Sequence, residues 1–106
     1  MIDKSQLPAD DTGLDQENNY RLRLFVAGAS PNSTRAIANL KAICESYLKD
    51  NYLLEIVDIY QQPLIAQSEQ IVALPLLIKK APGAERRLIG DMSDKQRVLR
   101  GLEISK

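Results

Sequence analysis

Apolar positions in the first half of the chain change from a strand-like to a helix-like spacing. Arg21 to Val26 alternates basic and apolar residues and then stays apolar, which is typical of a strand with at least one buried face. After "GASPNS", apolar residues recur every three or four positions up to Leu48, as on a helix that buries one side. Ser30 followed by Pro31 is typical of a helix start. We therefore predict a strand and then a helix that ends near Lys49.

The segments that follow predict a strand, a short helix and a hairpin. Leu53 to Ile59 is apolar and β-branched with acids interspersed, which favours a second strand. Pro63 begins a short helix that reaches about Gln70. "IVALPLLIKK" is a third strand broken at Pro75, because proline cannot donate to a sheet ladder. "APGAE" has turn chemistry, so Arg86 to Ile89 forms a fourth strand that pairs with the third.

A third helix is predicted at the end of the chain. Ser93 and Gln96 match a capping box, in which a serine and a residue three positions later satisfy each other's backbone donors. The apolar residues of this helix are Val98, Leu99, Leu102 and Ile104. The complete order is βαβ-α-ββ-α, and the first two strands should be parallel with a right-handed crossover. We expect an α/β protein with a four-stranded mixed sheet and three helices, which is the thioredoxin-like arrangement.

Charge divides the chain into a tail and one domain. Residues 1–19 lack apolar periodicity and contain five acids against Lys4, a net charge of −4. The acids are Asp3, Asp10, Asp11, Asp15 and Glu17. We predict an acidic, flexible tail over residues 1–19 and one folded domain over residues 20–106. The net charge of the whole chain is zero, which argues against nucleic acid as a partner.

The sequence lacks residues on which several classes of function usually depend. There is no histidine and one cysteine, so we expect no metal, no cofactor and no internal disulfide. Cys44 falls on the apolar side of the first helix, where a small buried hydrophobe is expected rather than a reactive thiol. No apolar run is long enough to cross a bilayer, so we expect a cytoplasmic protein without a membrane contact.

The thioredoxin-like order of elements allows two positions of this sequence to be compared with functional positions of that fold. Redox-active proteins of this arrangement have C-x-x-C where the first strand meets the first helix, because the helix N-terminus stabilises a thiolate. Here that place is Ser30-Pro31-Asn32-Ser33, whose hydroxyls cannot form a disulfide. Such folds also place a cis-proline at the start of the third strand, and Leu74-Pro75 occupies the matching place. We therefore expect a cis bond at Pro75.

Four segments of the chain resemble the KaiB family in order and spacing. They are "LRLFVAGASPNSTRAIANLKAICESYL", "LEIVDIYQQPLIA", "ALPLLIK" and "RRLIGDMSDKQRVLRGLE". Together they cover the chain from about Tyr20 to Glu103. The resemblance implies a non-enzymatic adaptor that binds a KaiC-like ATPase and kinase, with a KaiA-like protein or a histidine kinase as further partners. It also implies a homo-oligomer, either a dimer or a tetramer.

The resemblance also implies which residues meet a partner and which allow a change of fold. The partner-binding candidates are Arg35, Lys79, Lys80, Arg86 and Arg87, of which the last four fall on the predicted hairpin and suit an acidic surface. KaiB proteins exchange the thioredoxin-like state with a ground state whose C-terminal half is rearranged. Gly101 and Glu103 stand where that rearrangement begins, although Gly101 is equally explained as a packing glycine.

Departures from the clock members of the family affect the expected role. Where those members have "ATPTL", this chain has Ala73-Leu74-Pro75-Leu76-Leu77, and we expect it to lack the acidic C-terminal tail that is common in them. It thus resembles homologues from bacteria without a full clock, and a stress-response regulator is an alternative to a timing component. The leucines favour a buried third strand, so we expect the thioredoxin-like state to dominate. Hypotheses of other classes are a thiol-redox enzyme and the sensor domain of a clock histidine kinase.

Overall fold

Strands and helices follow one another in the predicted order in the computed structural model, which describes residues 19–71 and 73–104. The elements are β1 (Tyr20–Val26), α1 (Pro31–Tyr47), β2 (Tyr52–Asp58), α2 (Pro63–Ser68), β3 (Leu76–Ala81), β4 (Arg86–Ile89) and α3 (Lys95–Gly101). The acidic tail predicted for residues 1–19 lies, apart from Asn19, outside the described residues.

The four strands form one mixed sheet in the order β2-β1-β3-β4. β1 and β2 are parallel, with Tyr20 opposite Tyr52 and Val26 opposite Asp58. β3 runs antiparallel to both β1 and β4. The predicted α/β, thioredoxin-like fold is therefore confirmed, and the arrangement is not the alternative with a rearranged C-terminal half.

Two apolar clusters hold helices on the two sides of the sheet. Side chains alternate across a strand, so neighbouring residues face opposite sides. Leu24 belongs to the larger cluster, which α1 and α3 cover, whereas Phe25 belongs to the smaller one, against which Ile65 of α2 packs. Both side chains are fully buried. The sheet is thus covered by two helices on one side and by one short helix on the other.

Two local predictions were wrong. β3 begins at Leu76 rather than Ile71, because the Ile71 amide donates to the Ala66 carbonyl and closes the turn after α2. The cap of α3 is Asp94 rather than Ser93. The Asp94 carboxylate accepts a hydrogen bond of 3.2 Å from the Arg97 amide, while the Ser93 amide donates to the Asp91 carboxylate at 3.1 Å.

Part of the sheet on the α2 side is left uncovered by the described helices. α2 has only six residues and buries no side chain completely. Near the start of β1, the side chains on this side belong to Arg21, Arg23, Leu53, Glu55 and Lys80, and they line a groove. We call this region the open sheet face. Leu53 is 66% exposed there.

Candidate partner-binding site

The hydroxyls of Ser30 and Ser33 form hydrogen bonds at the start of α1. The Ser30 hydroxyl donates to the Ser33 hydroxyl at 2.8 Å and accepts a hydrogen bond from the Ser33 amide at 3.2 Å. The Ser33 oxygen also accepts from the Ala27 amide at 3.0 Å, and Ser33 is buried. The Ser30 hydroxyl therefore caps α1, while the Ser33 hydroxyl, inside the first turn of the helix, holds the backbone that follows β1. Neither can be oxidised to a disulfide, so the place that carries thiols in redox proteins has a structural role here.

The single cysteine is also unsuited to redox chemistry. Cys44 is fully buried in the larger apolar cluster. Burial, with a smaller effect from Glu45, raises the pKa of its thiol to about 12. A thiol with such a pKa is almost entirely protonated at neutral pH, and the thiolate is the nucleophilic form. Cys44 thus acts as a small apolar side chain.

The five predicted partner-binding bases occupy three separate places. On β3 and β4 consecutive residues face opposite sides of the sheet, so Lys79 and Arg86 lie on the side of α3, while Lys80 and Arg87 lie on the side of α2. Arg35 lies near the start of α1, as its fifth residue. Each of the three places contains an acid that pairs with these bases.

Glu103 organises the bases on the α3 side, and we call Lys79, Arg86 and Glu103 the Glu103 cluster. Arg86 donates to the Glu103 carboxylate at 2.7 Å, and this contact is the main cause that lowers the pKa of Glu103. The Lys79 amine lies 3.5 Å from the same carboxylate. It also donates to the carbonyls of Pro82 and Ala84 in the hairpin turn.

Lys79 therefore differs from the expectation of a surface base. Its side chain is 1% exposed, because β3 turns it toward the helices and its amine is satisfied by the hairpin turn and Glu103. In this fold its direct contacts are internal. Lys79 fixes the shape of the hairpin rather than presenting a charge to solvent.

Glu69 organises the bases on the α2 side, and we call Arg23, Lys80, Arg87 and Glu69 the Glu69 cluster. Lys80 donates to the Glu69 carboxylate at 2.9 Å, and this bond is the main cause that lowers the pKa of Glu69. Arg23 and Arg87 lie 3.3 Å and 3.5 Å from the same carboxylate. Glu69 directly follows α2, so the cluster attaches the end of this helix to three strands.

Arg35 pairs with an acid from another part of the chain. Its guanidinium lies 3.1 Å from the Asp91 carboxylate and also donates to Asn32. Hydrogen bonds from Ser93, followed by the Arg35 contact, lower the pKa of Asp91. Arg35 remains 55% exposed, so its guanidinium is accessible to a partner.

The remaining predicted residues are Pro75 and Gly101. The Leu74–Pro75 peptide bond is cis, which is the isomer expected there, and the Ala81–Pro82 bond is cis as well. Gly101 is the last residue of α3, where a Cβ would meet Leu88 side-chain atoms at 2.5–2.9 Å. The absence of a side chain therefore lets α3 approach β4, which is the packing explanation of this glycine.

The acids of these clusters were missed by the sequence analysis. Glu69, Asp91 and Glu103 bring together bases from separate elements, but only Glu103 was named, and for a different reason. The sequence did contain one signal that the four bases of the hairpin are divided between the two sides of the sheet. Alternation along β3 and β4 places Lys79 and Lys80 on opposite sides, as it does Arg86 and Arg87.

Exposed apolar side chains lie on α2 and just before it. Tyr60 and Leu64 are 74% and 76% exposed. A cavity of about 420 Å³ adjoins this helix and is lined by Ile59, Ala66, Gln67, Ile71, Ala73 and Leu74. Solvent-exposed aromatic and leucine side chains next to an apolar cavity are typical of surfaces that bind other proteins.

Within residues 19–71 and 73–104, no cluster of cysteine, aspartate and glutamate has the geometry of a metal site. None of the helices in the described part of the chain is both long and apolar enough to span a bilayer.

Structural comparison shows how widely this fold is shared. The N-terminal domain of Synechococcus elongatus SasA superposes with a TM-score of 0.65 at 20% identity and covers 97% of this chain and 92% of that domain. Mitochondrial thioredoxin 3 of Saccharomyces cerevisiae superposes with a TM-score of 0.66 at 17% identity, over 86% of this chain and 83% of that one. These likenesses identify the thioredoxin-like fold.

Sequence comparison identifies the family. The circadian clock oscillator protein KaiB of Prochlorococcus marinus subsp. pastoris is 46% identical over 85 residues, which are 80% of this chain and 79% of that protein. The circadian clock protein KaiB3 of a Synechocystis strain is 46% identical over 87 residues, which are 82% and 85% of the two chains. The KaiB domain matches residues 23–104. Taken with the fold, these matches show that the chain belongs to the KaiB family.

Proposed function

We propose that this chain is a non-enzymatic adaptor that binds a KaiC-type ATPase and modulates its signalling. The observation that carries the proposal is the KaiB domain over residues 23–104, on a thioredoxin-like fold whose first helix begins with two serines instead of thiols. Such a fold retains a protein-binding scaffold without the dithiol that redox exchange requires.

The binding surface of this proposal is made of exposed bases at the three places described above. Arg35, Arg86, Arg87 and Lys80 have side-chain exposures of 55%, 53%, 37% and 34%. Lys79 is not part of the exposed surface but stabilises it, because its amine donates to the Ala84 carbonyl of the hairpin turn. An acidic partner would take over contacts that Glu69, Glu103 and Asp91 now make, so binding would exchange ion pairs rather than add them. Such exchange gives specificity and fast association more than affinity.

The proposal keeps two physiological roles, a timing component and a stress-response regulator in a system that does not oscillate. Both use the same contact with the ATPase. A KaiA-like protein or a histidine kinase is a further proposed partner, and a dimer or tetramer is the proposed state of the free protein. The proposed location is the cytoplasm.

The test is size-exclusion chromatography with light scattering on this chain, mixed with the KaiC homologue of the same organism, with and without ATP. The test variant is Arg86→Ala/Arg87→Ala. Its matched control is Lys41→Ala/Lys49→Ala, which removes two exposed bases on and after α1 and leaves the hairpin intact. Circular dichroism of both variants shows whether the fold is retained. The same columns give the oligomeric state of the free chain.

We expect a complex that the hairpin variant weakens at least tenfold, and that the control variant leaves within twofold of the unmodified chain. Loss of two charge-assisted contacts corresponds to that change. A folded hairpin variant that binds as tightly as the unmodified chain would remove the hairpin from the surface. Absence of any complex under all nucleotide conditions would overturn the proposed partner.

A further inference from the structure

The open sheet face combines positive charge with an exposed apolar side chain. Arg21 is exposed and forms no ion pair with another described residue. It lies opposite Leu53 on the neighbouring strand, whose side chain is 66% exposed. The groove of about 420 Å³ at this place has three bases and two acids, so its net charge is positive. These side chains are Arg21, Arg23, Lys80, Glu55 and Glu69.

The acidic segment of the chain leads directly to this face. β1 begins at Tyr20, so residues 1–18 join the domain at the end of the strand that carries Arg21. This segment has a net charge of −4, while the rest of the chain has +4. Asp15 and Glu17 stand four and two positions before Asn19. A chain spans up to roughly 3.5 Å per residue, so both carboxylates can reach Arg21 if the segment turns back over β1.

We propose that residues 14–17 bind the open sheet face, with the Asp15 and Glu17 carboxylates on Arg21 and the Leu14 side chain on Leu53. Opposite charges and apolar surface are then paired at the same place. Exposed ion pairs are individually weak and are screened by salt. Here the segment is tethered beside its site, so its effective concentration is on the order of millimolar and no second molecule has to be captured.

One consequence concerns the proposed function and rests on it. Lys80 lines the same groove and belongs to the bases proposed to meet an acidic partner. A bound acidic segment would therefore compete with that partner for one part of the surface. The chain would carry its own weak competitor, which any tighter partner displaces.

The experiment uses nuclear magnetic resonance on the full chain without a partner. The side-chain carboxyl signals of Asp15 and Glu17 are titrated with pH, and nuclear Overhauser contacts are sought between the methyl groups of Leu14 and Leu53. The titration is repeated in Arg21→Gln and in a synthetic peptide of residues 1–18. Arg100→Gln is the matched control, because it removes an exposed base from α3, on the other side of the sheet.

We expect both carboxyl pKa values in the full chain to lie about 0.5 units below those in the peptide, because a nearby guanidinium favours the charged form. Arg21→Gln and 0.5 M salt should return them to the peptide values, whereas Arg100→Gln should leave them low. Methyl contacts between Leu14 and Leu53 should be observed.

Three results would overturn the binding of this segment. They are peptide-like pKa values in the full chain, equal effects of Arg21→Gln and Arg100→Gln, or the absence of the methyl contacts. Neither measurement involves the ATPase, so failure here leaves the adaptor proposal standing, and failure to bind the ATPase leaves this inference standing.

Discussion

The buried amine of Lys79 lies 3.5 Å from the Glu103 carboxylate and thereby joins the middle of β3 to the residues that follow α3. The same amine donates to two carbonyls of the hairpin turn, at Pro82 and Ala84. Arg86 on β4 binds the other oxygen of Glu103 at 2.7 Å. The hairpin and the end of the last helix are therefore held by one connected set of charged and polar atoms.

Replacing Lys79 with methionine should destabilise the fold by about 1–2 kcal/mol, because methionine fills a similar volume but gives the carbonyls no donor. The measurement is the midpoint of urea unfolding followed by circular dichroism. Lys41→Met, at an exposed position of α1, is the matched control and should change the stability by less than about 0.5 kcal/mol. Equal midpoints for the two variants would show that the Lys79 contacts contribute nothing net.

Gly101→Ala should destabilise the fold by about 1–3 kcal/mol, although alanine is the better helix former by about 1 kcal/mol. The reason is steric, since the new methyl group would lie 2.5–2.9 Å from Leu88 side-chain atoms. Urea unfolding of both single variants and of the double variant with Leu88→Ala measures the coupling. In the Leu88→Ala background the alanine at position 101 should cost nothing. A stabilising effect of Gly101→Ala in the unmodified background would contradict the packing role.

The free energy of unfolding should decrease at acidic pH, partly because Glu69 becomes protonated. Its pKa in the folded chain is lowered, first by Lys80, below the usual value of 4.5. A carboxyl of this kind stabilises the fold above its unfolded pKa and loses that contribution as the pH falls through its folded pKa. We expect Glu69→Gln to be less stable at pH 7 and to show a shallower loss of stability below about pH 4.5.

Thermal unfolding from pH 7 to pH 3 measures this difference. Glu85→Gln is the control, because it removes a carboxylate of the hairpin that also pairs with Lys80 and Arg87 but leaves Glu69 in place. Its loss of stability at pH 7 should be smaller than that of Glu69→Gln, because the Glu85 side chain is 45% exposed and the Glu69 side chain 17%. Parallel curves for Glu69→Gln and the unmodified chain would show that the cluster does not contribute to the pH dependence.

Cys44 should resist thiol reagents as long as the chain is folded. Its burial and a pKa of about 12 leave almost no accessible thiolate at neutral pH. Reaction with a disulfide reagent, followed by absorbance, should be complete within minutes in 6 M urea and slower by at least 100-fold without it. Rapid labelling of the native chain would contradict this prediction and would support the hypothesis of a thiol-redox enzyme.

Periodicity made the fold predictable from the sequence. The strand-like run before Val26 and the helical spacing up to Leu48 correspond to β1 and α1, because burial of one face imposes those periods. The start of β3 and the cap of α3 were not predictable in this way. The hydrogen bond of the Ile71 amide determines where β3 begins, and the Asp94 carboxylate determines where α3 begins. Neighbouring residues have similar chemistry, so the sequence alone does not show which residue makes each contact.

The candidate site was predictable as a set of residues but not as a geometry. Lys79 and Lys80 are neighbours in the sequence, yet one is buried against the hairpin turn and the other faces the α2 side of the sheet. Glu69 lies 11 positions from Lys80 and 46 from Arg23, so only the folded topology brings these charges together. Long-range pairing of this kind depends on strand order, which a single sequence does not encode locally.

The paired hydroxyls at the start of α1 also have a consequence for protein engineering. The Ser30 and Ser33 oxygens are 2.8 Å apart at a helix N-terminus, where the helix dipole favours a negative charge. Exchanging both oxygens for sulfur, as in Ser30→Cys/Ser33→Cys, would place two thiols side by side in the setting that lowers a thiol pKa. The double variant would therefore restore the C-x-x-C spacing at the place where redox-active proteins of this fold carry it.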